Sequence, residues 1–297
     1  MVRSDCLPPF AQKAREEWGT PALVVPARSK GGPPVRGNRL KRRVHCFLDR
    51  TKEENGLKRK KVEYVRSVVS YIDILGFREL VEAKSAGEIS RILRILATST
   101  KPKPTSTAYT VRFTKFSDTV IRSIPATDGG HNNLLFEVQN ILNAQIRMVS
   151  EGILLRGVVT VGDIVQSWGI VYGPAVVRAY NLESQKGSPP RVILDPEALA
   201  EIPPIVGGSL DFAVMVANDG HTRYIDYLSA GQWTFSTEQE YFAFLRKHRD
   251  LIRRGLGEFA SNPSVLPKYE WLTEYHERTL RILGTVFHRD APKDLKV

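Results

Sequence analysis

A chain of 297 residues, 42% of them hydrophobic, has the material to bury one large or two modest cores, as a soluble globular protein does. It holds no apolar run near the ~20 residues that cross a bilayer, and MVRSDCLPPFAQKAREEW lacks the apolar core of a secretory signal, so the expected location is the cytoplasm with no membrane partner. Cys6 and Cys46 show neither CxxC nor Cys/His spacing, which argues against a disulfide framework or a zinc site built on them.

The net charge of +11 is concentrated at one end. Residues 1–66 hold 17 Lys/Arg against 7 Asp/Glu, whereas residues 67–297 hold 26 against 25. Residues 1–62 form a basic leader rich in Gly, Pro and charge (RSKGGPPVRGNRLKRR, then LKRKK), with little apolar period, and disorder or loose attachment is expected there. Such a leader is either an arm for nucleic acid or another polyanion, or a solvated tail, or an over-long start to the coding frame.

From residue 64 the pattern alternates. YVRSVVSYIDIL (64–75) predicts a strand, and helical period runs from REL through Ala97 until KPKPTST breaks it. YTVRFTKFSD and TVIRSIP predict two short strands joined by a tight hairpin at Ser117-Asp118. GGHNN opens a long helix with Leu134, Val138, Ile141, Leu142 and Gln145 on one stripe and Gly152 at its end. LLRGVVTVGDIVQSW then predicts a strand pair with Gly162 near its bend, a short helix starts near Pro174, and PRVILD gives a strand. A further strand pair around AVMVANDGHTRYIDYL precedes two helical segments, TEQEYFAFLRKHRDLIRRGL and VLPKYEWLTEYHERTLRIL. The order β-α-α-β-β-α-β-(β)-α-β predicts an α+β, ferredoxin-like sandwich, a mainly antiparallel sheet with helices on one face. It occupies residues 63–230, and residues 231–297 form a C-terminal helical extension.

Asp73 stands in the middle of the apolar run SYIDILGF, and an ionised carboxylate buried without a partner costs several kcal/mol. A cation is expected beside it. The loop Ile74-Leu75-Gly76-Phe77 leads into a helix, so its amides suit a phosphate chain. Asp118, at the hairpin of neighbouring strands, supplies a second carboxylate, and two such groups on adjacent strand ends can clamp Mg²⁺ or Mn²⁺. Each also has a plainer reading, Asp73 as a helix cap and Ser117-Asp118 as an ordinary turn.

YIDILGF, KFSDTVI, LLRGVVTVG and YGPAVVRAYNLES resemble, in the same order, the class III nucleotide cyclase domain, over roughly residues 64–285. RAYNLE, PRVILD and KYEWLTEYH resemble more closely the bacterial Pycsar pyrimidine cyclases, whose cyclic UMP or cyclic CMP signals phage infection to a cyclic-nucleotide-responsive effector. The resemblance implies two divalent ions per site, Mn²⁺ or Mg²⁺, held by Asp73, Asp118 and the carbonyl of Ile74. It also implies a head-to-tail homodimer with composite sites. Where purine cyclases carry a Lys and an Asp that read adenine, this chain has Thr114 and Ile170, which argues against a purine-reading pocket; the resemblance to the pyrimidine cyclases, and no residue of this chain, puts UTP before CTP as the expected substrate. Their usual Asn and Arg fall on Val177 and Asn181, so Arg178 or Arg156 is expected to supply the transition-state guanidinium and Asn181 to hold the ribose or α-phosphate. The bland role for Arg178 is an ion pair with Glu183 or another neighbour. Tyr71 and Phe77 are candidates to read the base, with core packing as their alternative; Leu75 and Gly76 complete the substrate loop.

Two other classes compete. A nucleic-acid-binding ferredoxin-like module would use exposed strand aromatics such as Tyr109, Phe113 and Phe116, but no RNP-like run is present, and nucleic acid is not the expected partner. A catalytically dead homologue has no need to retain both aspartates.

Overall fold

β1 (Val65–Ile74) is the spine of the sheet, and residues 67–74 are all buried because both of its faces are covered. This is why the run reads as continuously apolar instead of alternating. The computed structural model describes residues 62–101, 110–126, 130–167, 169–184, 189–200, 215–220, 222–285 and 291–297, all within the unit from Arg59 to Val297. The leader, apart from Val62, lies outside the described residues, as do Tyr109 and most of the KPKPTST break.

Antiparallel to β1 run β3 (Thr119–Pro125) on one side and β4 (Leu155–Ser167) on the other. β2 (Arg112–Phe116) hairpins onto β3, and β5 (Ile170–Tyr172) folds back onto β4. β6 (Val192–Leu194), β7 (Val216–Asp219) and β8 (Thr222–Ile225) complete the order β2-β3-β1-β4-β6-β8-β7, in which only β4 and β6 run parallel. The mainly antiparallel α+β architecture expected from the alternation is present. The expected strand pair at Gly162 is instead one continuous β4; Gly162 sits mid-strand, where a Cβ would lie 3.2 Å from that of Ala175, and the chain reverses only after Ser167.

Helices occupy both faces, not one. α1 (Phe77–Ala83), α2 (Ala86–Thr100) and α3 (Gly130–Ser150) pack with Val68, Ile72, Ile74, Val120 and Val159. α4 (Pro174–Glu183) takes the opposite face, where Ala175 meets Val69 and Ile164, and Ala179 meets Tyr71 and Val158. Odd and even residues of β1 therefore feed different clusters, the two-residue period of a strand. α2 begins with a Ser85/Glu88 capping box, and the predicted stripe of α3 is buried from Leu134 to Gln145. Beneath it Arg122 of β3 forms a forked ion pair with Glu137 of α3 (Nε–Oε1 2.7 Å, Nη2–Oε2 2.8 Å) and also donates to the Thr100 carbonyl; both side chains are fully buried.

After the short α5 (Pro196–Ala200) and the β7–β8 hairpin, α6 (Glu238–Glu258) and α7 (Leu266–Thr285) join the same apolar cluster as the sheet through Phe244, Ile252, Leu272 and Leu283. A polar chain ties them together. Tyr227 Oη lies 3.0 Å from His248 Nε2, His248 Nδ1 3.1 Å from His276 Nδ1, and His276 Nε2 2.9 Å from the Leu295 carbonyl. Among the described residues no helix is long and apolar enough to cross a membrane.

Candidate active site

Register builds the site. Asp73 of β1 lies opposite Arg156 of β4, so the two side chains share a face, the one covered further along by α4. Arg156 Nη2 donates to Asp73 Oδ2 at 3.0 Å, and Thr119 Oγ1 donates to Oδ1 at 3.1 Å. The cation demanded by the burial of Asp73 is thus supplied by Arg156; the inference from burial directly to a metal is corrected to that extent.

Asp118 occupies the β2–β3 turn next to Ser117, whose φ is 53°, and its carboxyl comes within hydrogen-bonding reach of Asp73. Burial, then the Asp73 charge and the hydrogen bond to Asp73, raise its pKa to about 7, so below neutrality the pair shares a proton. A third carboxylate, Glu183 at the end of α4, has Oε1 2.8 Å from Arg156 Nε. Asp73 and Glu183 therefore share one guanidinium, and Asp118 crowds Asp73. Lys268 of α7 is half-buried in the same field, its pKa lowered by burial and then by Arg156.

Crowded hard oxygens fit a small divalent cation. Among the described residues no group of three or more His, Cys, Asp or Glu forms a closed metal cage, so a metal here would rest on the two aspartates, a backbone oxygen and other oxygen ligands, a set suited to Mg²⁺ or Mn²⁺ and not to structural zinc. The Ile74 side chain is buried toward α2 and α3, which leaves only its backbone for this face.

The loop expected to hold substrate offers fewer amides than the sequence reading gave it. The Leu75 amide donates to the Leu154 carbonyl at 2.9 Å, so a phosphate held by this loop would meet first the amides of Gly76 and Phe77. Gly76, exposed and at φ 71°, makes the left-handed turn into α1 that a side chain would strain. Phe77 and Leu75 side chains lean on the core. Tyr71 is also packed, edge-on to Tyr180 at a centroid separation of 6.4 Å, and burial followed by the Asp73 and Glu183 charges keeps its hydroxyl protonated well above the usual tyrosine range. It forms a wall under the site, with no face open for stacking. Thr114 lies on the Asp73 face and accepts from Gln166 Nε2 at 3.0 Å.

Arg178 and Asn181 lie elsewhere on α4. Arg178 is engaged by Asp195 (Nη2–Oδ1 2.8 Å) and by Glu197 (Nη1–Oε1 2.8 Å), so its ion pair is with these residues and not with Glu183. Asn181 is exposed and, with Tyr64, Gly173, Pro174, Val177, Arg178 and Leu182, lines an open groove of about 690 Å³. Ile170 and Tyr172 stand exposed nearby in the chain, and Tyr172 contacts Tyr64. Of the strand aromatics proposed for nucleic acid, Phe113 leans on the core and Phe116 is exposed. Sequence reasoning gave Glu183 and Thr119 no part in the site and did not find Asp195 as the partner of Arg178. The signal for Glu183 was a carboxylate on the stripe Ala175, Ala179, Glu183, which the helical period turns toward the sheet.

No family model matches the chain, and no curated protein does. Among solved structures, a bacterial light-regulated adenylyl cyclase is similar at 16% identity and a TM-score of 0.37, over 56% of this chain and 52% of that one, so the chain spans about half that protein's length. An adenylate/guanylate cyclase/hydrolase from Silicibacter pomeroyi is similar at 16% identity and a TM-score of 0.32, over 55% of this chain and 98% of that one. Overlaps this partial assign no activity.

Proposed function

We propose that the chain is a pyrimidine nucleotide cyclase, converting UTP to 3′,5′-cyclic UMP and pyrophosphate, with CTP as the second substrate to test. The observation that carries the reading is the carboxylate pair Asp73 and Asp118, adjacent enough to share a proton and flanked by Arg156, within the motifs YIDILGF and KFSDTVI. Two Mg²⁺ or Mn²⁺ ions at Asp73, Asp118 and the Ile74 carbonyl would, when bound, acidify the ribose 3′-hydroxyl and neutralise the triphosphate. The amides of Gly76 and Phe77 bind terminal phosphate oxygens, where the φ of Gly76 lets the backbone come close. The Arg156 guanidinium balances charge gathering at the α-phosphorus, a contribution whose loss typically costs ~3–4 kcal/mol of barrier. Thr114 and Ile170, in place of the charged pair that reads adenine, favour a pyrimidine. The apolar rim of Tyr64 and Val177 around the groove that holds Asn181 supports a two-fold homodimer in which that groove faces the partner's aspartates. The product would act in anti-phage signalling through an effector that binds cyclic nucleotide.

Incubation of the purified chain with each of the four nucleoside triphosphates and Mn²⁺, followed by mass spectrometry of the product, tests this. Cyclic UMP is expected, and cyclic AMP or GMP as the main product overturns the pyrimidine assignment. Absence of any cyclic product, or turnover that persists in Asp73→Asn or Asp118→Asn, overturns the cyclase reading.

A further inference from the structure

A divalent ion on Asp73 would share that carboxylate with a guanidinium already bonded to it, and the two positive charges oppose each other there. Both oxygens of Asp73 are occupied, Oδ1 by the Thr119 hydroxyl and Oδ2 by Arg156 Nη2 at 3.0 Å. The strand register that sets Asp73 opposite Arg156 fixes both backbones, so any exchange of partners must come from side-chain rotation. Arg156 has a second anchor for such a rotation. Its Nε is 2.8 Å from Glu183 Oε1, yet the Nε–H does not line up with that oxygen as a hydrogen bond, so the contact is one of charge and tolerates turning. Glu183 itself is only 6% exposed, and Ala175 and Ala179 seat α4 against the sheet two turns and one turn before it.

Resting on the cyclase reading, we propose that Arg156 is the resident counter-ion of the metal site: it holds Asp73 in the metal-free chain, yields it when a divalent cation arrives, and is retained beside the site by Glu183, a positioning residue. Two cations compete for one carboxylate, and the loser needs another nearby, because a guanidinium a quarter exposed is poorly placed to leave for water. Metal loading and release of the arginine toward the substrate phosphates are then one coupled event, and the coupling is reciprocal. Substitution of Arg156 tightens the metal. Neutralisation of Glu183 leaves Arg156 with Asp73 as its remaining partner and weakens the metal.

The test is Mn²⁺ affinity of the full chain, read by electron paramagnetic resonance of free Mn²⁺ at pH 8 without nucleotide. Arg156→Gln is expected to tighten binding about tenfold, equivalent to ~1.4 kcal/mol, and Glu183→Gln to weaken it severalfold. In the Arg156→Gln/Glu183→Gln double variant the Glu183 effect should largely vanish, since Glu183 acts through Arg156. Additive effects would reduce both residues to background charge and overturn the proposal, as would unchanged affinity in Arg156→Gln. Arg156→Met, which keeps the aliphatic stem, replaces the Gln variant if circular dichroism shows the latter misfolded. Asp73→Asn separates the two levels: wild-type binding insensitive to it refutes the metal site and with it the cyclase reading, whereas binding that needs Asp73 but ignores Arg156 refutes the counter-ion alone.

Discussion

Replacing Asp118 by Asn should make the protein more stable in the absence of metal while ending the cyclase turnover proposed above. The carboxyl of Asp118 is raised from 3.8 to about 7 by burial and by Asp73, so above neutrality the fold carries a charge it disfavours. A displacement of roughly three pH units corresponds to about 4 kcal/mol at 1.36 kcal/mol per unit. Asp118 is only partly buried, and solvent screening reduces this to about 1–2 kcal/mol. The sign follows from linkage. The folded pKa lies above the unfolded one, so the penalty is complete above pH 7, declines as pH falls from about 7 to 3.8 because the folded state takes up the proton first, and is gone below that. An asparagine in its place cannot ionise, and its amide can donate to Asp73 as the protonated acid does. Thermal unfolding at pH 8 in EDTA should therefore give a Tm higher by about 2 to 8 °C for Asp118→Asn, with the gain shrinking toward pH 5. Adding Mn²⁺ should raise the wild-type Tm and leave the variant unmoved. A variant less stable than wild type at pH 8, or a difference that does not change with pH, would refute the crowded-pair argument.

Other parts of the molecule make separate predictions. Glu137→Gln leaves the Arg122 charge buried with half its fork unanswered and should lower stability in urea by about 3–5 kcal/mol; Arg122→Met/Glu137→Leu, which removes both charges, should recover most of it. At Gly157 an added Cβ would fall 2.2 Å from the Tyr71 carbonyl oxygen, and backbone cannot step aside, so Gly157→Ala should cost on the order of 3 kcal/mol and displace Arg156 beside it, seen as loss of both Tm and turnover. Burial holds His248 well below and His276 below the ordinary imidazole value, so stability should fall as pH drops below 6.5, with a limiting slope of ~1.4 kcal/mol per pH unit for a ring that stays neutral in the fold. Urea titrations between pH 7.5 and 5.5 in the Asp118→Asn background, which removes the opposite trend, measure that slope; a flat profile would contradict it.

Local chemistry was readable where one interaction dominates. The β-branched run of β1, the turn at Ser117-Asp118 and the stripe of α3 are each decided by neighbours in sequence, and the structure has them at those positions. Gly162 misled because a glycine inside a strand pattern marks either a bend or a close approach, and only the Ala175 contact across the sheet separates the two. The partner of Arg178 was equally hidden. Asp195 follows β6, and nothing along the chain shows that β6 lies beside β4, where Thr160 also reaches Asp195. The same long-range pairing decides that Asp73 meets Arg156, residues 83 positions apart, so a buried carboxylate was legible while the identity of its cation was not.

The Tyr227, His248, His276 and Leu295 relay has a direction that its distances alone do not state. A carbonyl can only accept, so His276 must carry its hydrogen on Nε2 and present a bare Nδ1; His248 must then hold its hydrogen on Nδ1, and Tyr227 must donate to His248 Nε2. One oxygen near the last residues thus dictates the tautomer of two imidazoles and the rotor of a phenol. Nitrogen-15 chemical shifts should find both rings neutral and of opposite tautomer, an asymmetry imposed entirely from the Leu295 end.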